Sequence, residues 1–313
     1  MFIGLKKCAK IEGLNFKPMK VSRFSTYLIA LATASLLAAC GSSTKKDDQS
    51  SDEFKQAEES RKDQIKDVVY NIPSPSEIPY LLQATGAEFN QALLNDRKKV
   101  DQYLSRSEKA ALNLGVYAAD IGYLSSYEKT QEAIDYLNSA KKLADNLNIS
   151  SFDPEVLKRF ESNISNRDSL ANLLDGAVKM TDKYLKDDAR TKLAALLVTG
   201  SFVEGLSIST GLIKTYPKNL LKETDRNAVL TPLIQVILNQ EKSVDELSNM
   251  LSTVDQAEPI ATIQADLTAL KSSYRALNIQ EQIKNNRSDL VLSDKNLVEI
   301  TKIIDKMRKE IVE

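Results

Sequence analysis

The sequence predicts an all-α protein, a multi-helix bundle of about ten to eleven helices around one buried, glycine-containing central helix. Three observations carry this expectation. First, apolar residues recur at alternating steps of three and four. Ile260, Ile263, Leu267, Leu270, Tyr274 and Leu277 form one such series, and Leu297, Ile300, Ile304, Met307 and Ile311 form another. Those are the steps at which side chains share one face of an α-helix. Second, 10 glycines and 8 prolines in 313 residues are too few for a turn-rich β architecture, and no segment alternates as a half-buried strand would. Third, the segment from Leu193 to Ile213 carries one charge, Glu204, and is apolar all round rather than along a stripe. Its length alone would suit a membrane span. The glutamate, the hydroxyl residues and three glycines point instead to the centre of a bundle.

Helices are expected near 53–70, 77–96, 106–124, 127–147, 154–164, 166–186, 188–215, 223–240, 243–254, 259–278 and 294–312. Pro73, Pro75 and Pro79, in NIPSPSEIPY, separate the first from the second. Asp153-Pro154-Glu155 offers a side-chain acceptor followed by a proline suited to a first turn. Ser105 with Glu108, and Ser243 with Glu246, fit the reciprocal capping box. Tyr216-Pro217 closes the central helix. Neither apolar series lasts the three to four heptads of a coiled coil, so both read as core-facing helices. Gly200, Gly205 and Gly211 would let neighbours approach the central helix closely, against a cost of about 1 kcal/mol each.

Two stretches match at an offset of 85 residues: KAALNLGVYAADIGYL from Lys109 and KLAALLVTGSFVEGL from Lys192. Each places a glycine before an aromatic (Gly115 and Tyr117; Gly200 and Phe202) and an acid shortly after (Asp120; Glu204). Either an internal duplication, giving two similar halves about a pseudo-twofold axis, or coincidence in a helical composition produces such a match. The first copy, with Leu114-Gly115 and later Ala133, Leu137 and Ala140, superficially resembles a tetratricopeptide helix pair. Its spacing is about six residues too long for a regular array.

Glu204 lies on the same side of the central helix as Leu193, Leu197, Gly200, Ile208 and Gly211. Buried there, it must be paired or protonated. It either faces an internal cavity and contacts a ligand, alongside Tyr117, Tyr123 or Tyr127, or bonds a tyrosine or arginine within the core. The second reading is the favoured one. Asp120 shares a face with Lys109 and Asn113 and is expected to be half exposed.

No histidine is present, which removes the commonest general base and metal ligand. Cys8 and Cys40 are the only thiols, so neither a zinc cluster nor a disulfide framework can be built within one chain. Nucleophile elbow, phosphate loop, dinucleotide turn and calcium loop are all missing. The reading is therefore a non-enzyme without metal or cofactor. A glycosidase-like pair of carboxylates from distant positions is the remaining catalytic alternative.

One cysteine lies where an apolar run turns abruptly polar. From Met19 the chain reads MKVSRFSTYLIALATASLLAAC: Lys20 and Arg23, a short apolar run from Tyr27 to Leu37, then small residues and Cys40. That run is too short to cross a bilayer comfortably and has the form of a cleaved signal. Leu37-Ala38-Ala39-Cys40 resembles the lipobox of bacterial lipoproteins. The resemblance implies cleavage between Ala39 and Cys40, diacylglycerol on the Cys40 thiol and acylation of the new amino terminus. Two or three acyl chains hold a protein to a membrane firmly where one does not. Residues 1–18 then precede the working start, as an over-extended reading frame would.

Residues 1–39 carry six basic side chains and one acidic, so the remainder holds 36 basic against 42 acidic, a net of −6. Such a body is not steered toward nucleic acid or anionic lipid. Residues 40–53 comprise the cysteine and a polar tether, GSSTKKDDQSSDE. Within it Lys45-Lys46-Asp47-Asp48-Gln49 resembles the lysine-plus-acid tract that carries some Gram-negative lipoproteins to the cell surface, displaced several residues from the cysteine. A plain hydrophilic spacer is the other reading. Gly41, in place of aspartate, resembles lipoproteins released to the outer membrane.

The expected organisation is a signal segment (1–39), a lipidated cysteine with tether (40–53) and one helical domain (54–313). The expected function is a lipid-anchored envelope protein that binds a partner protein or supports an assembly. A helical module for a small or apolar ligand, and a hydrolase of unfamiliar pattern, are the alternatives.

Overall fold

The computed structural model describes residues 72–74, 77–149, 158–159, 162–163, 188–216, 222–285 and 287–313, all within the unit Asp52–Glu313. The expected helices at 53–70 and 166–186 lie outside the described residues. So do the Asp153-Pro154-Glu155 cap, the signal segment with Ala39 and Cys40, and the tether.

The protein is an all-α multi-helix bundle; among the described residues there are ten α-helices and no strand. They are α1 (Glu77–Ala84), α2 (Ser107–Ser126), α3 (Thr130–Asn146), α4 (Asp188–Thr215), α5 (Glu223–Leu238), α6 (Glu241–Ser252), α7 (Ile260–Arg275), α8 (Gln280–Lys284), α9 (Ser288–Leu292) and α10 (Lys295–Val312). Two 3-10 turns, Gln91–Leu93 and Arg97–Tyr103, precede α2.

α4 is the central helix. It is long and apolar enough to cross a membrane, with a mean hydropathy of 1.5 in its most apolar window, yet 83% of that window is buried within the protein. Leu196 and Phe202 are fully enclosed, each burial contributing roughly 1.5–3 kcal/mol.

The closest packing is between α2 and α4. A methyl group on Gly115 would lie 2.0 Å from the Leu197 carbonyl oxygen, and one on Gly200 would lie 1.9 Å from that of Leu112. The contact is reciprocal, since Leu112 and Leu197 are themselves 85 residues apart. Glu108 of α2 meets Lys192 of α4 at 3.3 Å. Roughly three turns further along each helix, Asp120 comes beside Glu204. The two helices therefore run parallel and touch backbone to backbone, and the matched stretches are the two partners of that crossing.

Several expected boundaries shift. Residues 77–96 are not one helix. α1 stops at Ala84, and Gly86 adopts φ +80°, the left-handed conformation glycine takes without strain. An irregular connector then runs from Ala87 to Asp96. The Ser105–Glu108 capping box does not form: α2 starts at Ser107 without a side-chain cap, because the Glu108 carboxylate is drawn across to Lys192. α6 begins at Glu241, two residues ahead of the expected box, which leaves Ser243 inside the first turn and buried. α8 and α9 interrupt a stretch expected to be loop. Pro232 sits inside α5; it and Ala228, whose carbonyl it leaves without a helical partner, are both exposed. α10 is capped by Asp294, whose carboxylate accepts from the N–H groups of Asn296 and Leu297 at 2.8 and 3.2 Å.

Alanine at Gly115 or Gly200 would force a backbone oxygen away, so each substitution should cost about 3 kcal/mol or more. Alanine at Gly211 meets only the terminal methyls of Leu93 and gains helix propensity, so it should lie within about 1 kcal/mol of the parent. Urea unfolding midpoints of the three variants check this order.

Candidate functional site

The chemistry concentrates where the C-terminal part of α10 meets α2, α4 and the connector. Arg308 follows Ile304 by four residues and precedes Ile311 by three, so it lies on the apolar face of α10 beside Met307. Its Nε donates to Glu204 Oε2 and its Nη2 to Oε1, both at 2.8 Å. The Nη2 group also donates to the Leu93 carbonyl at 3.0 Å. Glu204 has no exposed surface, whereas the Arg308 side chain keeps 23%. Burial works against the guanidinium charge; the paired Glu204 outweighs it and holds Arg308 above its ordinary range.

Asp120 is fully buried, not half exposed as its neighbours on the helix suggest. The physical reason is the glycine crossing, which draws α2 against α4 and closes the face that Asp120 occupies. Its Oδ2 accepts from the Asn95 N–H at 3.3 Å. Its Oδ1 is buried with no protein N–H or O–H donating to it, and the Glu204 charge on the neighbouring helix acts on it. Burial first, and then the Glu204 charge, push the Asp120 carboxyl well above its ordinary range.

A polar web surrounds these acids. Asn95, itself buried, donates from Nδ2 to the Tyr103 hydroxyl at 3.2 Å. Tyr103 donates to the Val312 carbonyl at 3.0 Å. Asn113 Nδ2 donates to the Ile311 carbonyl at 2.9 Å, and Lys109 reaches the Glu313 carbonyl at 2.8 Å. The last carbonyls of α10, which no helical N–H can satisfy, are thus taken by side chains of α2 and the adjoining 3-10 turn.

The tyrosines serve the connector. Buried irregular backbone needs partners that regular structure does not supply. Tyr127 donates to the Ala87 carbonyl at 2.7 Å, and Tyr136 to that of Asn95 at 2.8 Å. Tyr117 donates to the Asp96 carbonyl at 3.3 Å, and the Tyr123 hydroxyl accepts from the Asn90 N–H at 2.9 Å. Tyr117 packs between Tyr103 and Tyr136, with ring centroids 6.2 and 5.7 Å away. Tyr123 stacks on Phe89 at 5.2 Å. Burial raises the Tyr117 hydroxyl far above its usual range and pushes Tyr123 up to about 12.

The structure therefore places Asp120 and Glu204 on the two crossing helices, and Tyr117 and Tyr123 are both fully buried. Two carboxylates converge, as the catalytic alternative requires, but both are sealed from solvent. Sequence reasoning missed Arg308, Asn95 and Tyr103. Arg308 had a legible signal, a cation on an apolar stripe; Asn95 fell inside a stretch expected to be helix.

A separate cavity of about 30 Å³ lies between Ala111, Leu147, Arg190, Leu193 and Leu197, room for about one water. Among the described residues no three acids or thiols gather as metal ligands would. Comparison with protein-family models, with curated proteins and with solved structures gives no match.

Replacing Arg308 by leucine strands a sealed carboxylate, and unfolding free energy should fall by about 3 kcal/mol. Glu204→Gln leaves a cation that still reaches water and should cost less. Combining the two should cost less than the sum, which a double-mutant cycle in denaturant measures.

Proposed function

We propose that this chain is a lipid-anchored, non-enzymatic protein of the bacterial cell envelope, joined to the outer membrane through diacylglycerol on Cys40. Its helical body stands off on the polar tether and serves as a docking or assembly platform for another envelope protein. The observation that carries this reading is the ordered series Lys20, Arg23, Tyr27 to Leu37 and Leu37-Ala38-Ala39-Cys40. Charge, apolar run, small residues and cysteine each answer to one step of insertion, cleavage and acylation. The helical body supports it from a second side. The acids and tyrosines that could have formed a ligand site are spent on one another and on buried backbone. A lipid anchor also leaves the body free to be mildly acidic and still remain on a membrane.

Metabolic labelling with a radioactive fatty acid tests the anchor. Wild-type protein should carry label and sediment with membranes; Cys40→Ser should carry none and escape cleavage before residue 40. An unlabelled wild-type product would overturn the reading.

A further inference from the structure

We propose that the core uses a bound proton as a structural part: Asp120 is the neutral acid, donating through Oδ1 to the Glu204 carboxylate, and losing that proton releases the last turns of α10 together with the connector. The geometry carries the argument. Two carboxyl groups with no exposed surface each stand twelve residues beyond the Glu108–Lys192 pair, on parallel helices in backbone contact, and they can share a hydrogen bond only if one of them holds a proton. Glu204 is occupied by both nitrogens of the Arg308 fork, so it is the natural acceptor. Asp120 has one oxygen satisfied by the Asn95 N–H and the other with no protein donor. A proton on Oδ1 satisfies both acids at once. Without it, two negative charges without solvent exposure face one guanidinium.

The titratable and charged groups that face Asp120 are few. They are Glu204 from α4, Arg308 from α10, Tyr103 from the 3-10 turn, Tyr136 from α3 and Tyr117 on its own helix. Burial holds all three tyrosine hydroxyls above their usual range, so they stay neutral and do not compete for the titration. Arg308 stays charged. Asp120 is then the group whose proton sets the balance.

The consequence is mechanical. Arg308, the Ile311 carbonyl and the Val312 carbonyl attach α10 to Glu204, Asn113 and Tyr103, and Asn95 attaches the connector to Asp120. Ionising Asp120 sets it against Glu204. The relief available is for the end of α10 and the connector to swing out and admit water, which takes up the proton as Asp120 loses it and solvates the second carboxylate.

The sign follows from linkage. The folded state holds this proton at pH values where the unfolded chain, with an ordinary aspartate near 3.9, has released it. The stability this group contributes is therefore fully present at low pH. It falls as pH rises from about 4 toward the native-state value, with the unfolded fraction growing about tenfold per pH unit from this group alone.

The test compares wild type with Asp120→Asn, whose amide can donate to Glu204 and accept from Asn95 without carrying a titratable proton. Thermal unfolding of the full chain is followed between about pH 5 and about pH 9. The variant should gain on the wild type as pH rises, until the native-state value is reached. Hydrogen exchange at Met307–Val312, corrected for the intrinsic rate, should accelerate with pH in the wild type and not in the variant. A gap independent of pH would overturn the proposal. Should the variant not fold, infrared spectroscopy of wild type in D2O decides. A protonated carboxylic-acid band at neutral pH upholds the proposal, and its absence overturns it.

Discussion

The rest of the structure depends on two glycines. With Gly115 and Gly200 each set against a backbone carbonyl of the other helix, α2 and α4 approach more closely than any side chain between them would allow. That proximity fixes their register and hence what lies beyond the contact. Glu108 reaches Lys192 on one side of the crossing. On the other, Asp120 and Glu204 converge in a space from which water is excluded. Nothing about either acid requires the other. Their meeting is a geometric by-product of the crossing, and the polar web around them is the response to it.

That response recruits elements far apart in the chain. Arg308 comes from the C-terminal helix, 104 residues beyond its glutamate. Asn95 and Leu93 come from the connector, which holds only one short 3-10 turn and draws on four tyrosine hydroxyls for the rest of its backbone. A single dry polar knot thus joins α2, α4, α10 and the connector. Removing one polar member leaves the others buried and unpaired, which makes such a knot a specifying feature rather than a large net source of stability. Around it the apolar stripes of α6, α7 and α10 supply the nonspecific burial, with Leu247, Leu251, Leu267, Leu270, Ile300 and Ile304 all enclosed.

The long helices were legible because burial imposes a period on the sequence. The apolar series of α7 and α10, and the all-round apolarity of α4, gave their type and nearly their limits. The 85-residue match, legible in the sequence only as a duplication or a coincidence, falls on the two helices that cross. What escaped reading was decided between elements. The end of α1 turned on Gly86, a single residue in a stretch of acceptable helix formers. The capping boxes at Ser105 and Ser243 were plausible locally and lost to tertiary context. In one case Glu108 found a better partner in Lys192; in the other the helix began a half-turn early. Asp120 was misplaced because a helical wheel reports neighbours on one helix and is silent about a second helix lying against it. Tyrosines read as walls of a ligand pocket proved to be hydrogen-bond partners for backbone that had been expected to be helical.

The same reasoning explains how one chain can contain a helix apolar enough for a bilayer and still bury it within its own helical body. α4 meets the length and hydropathy of a span, but its glutamate is tied to Arg308 and its glycine to α2, and both ties would be lost in lipid. An isolated α4 in a hydrocarbon layer would have to bury Glu204 alone, at a cost that a helix–helix contact in the protein removes. Under the proposed anchoring the division of labour is complete: acyl chains on Cys40 supply the attachment, so the body can spend its most apolar segment on its own core.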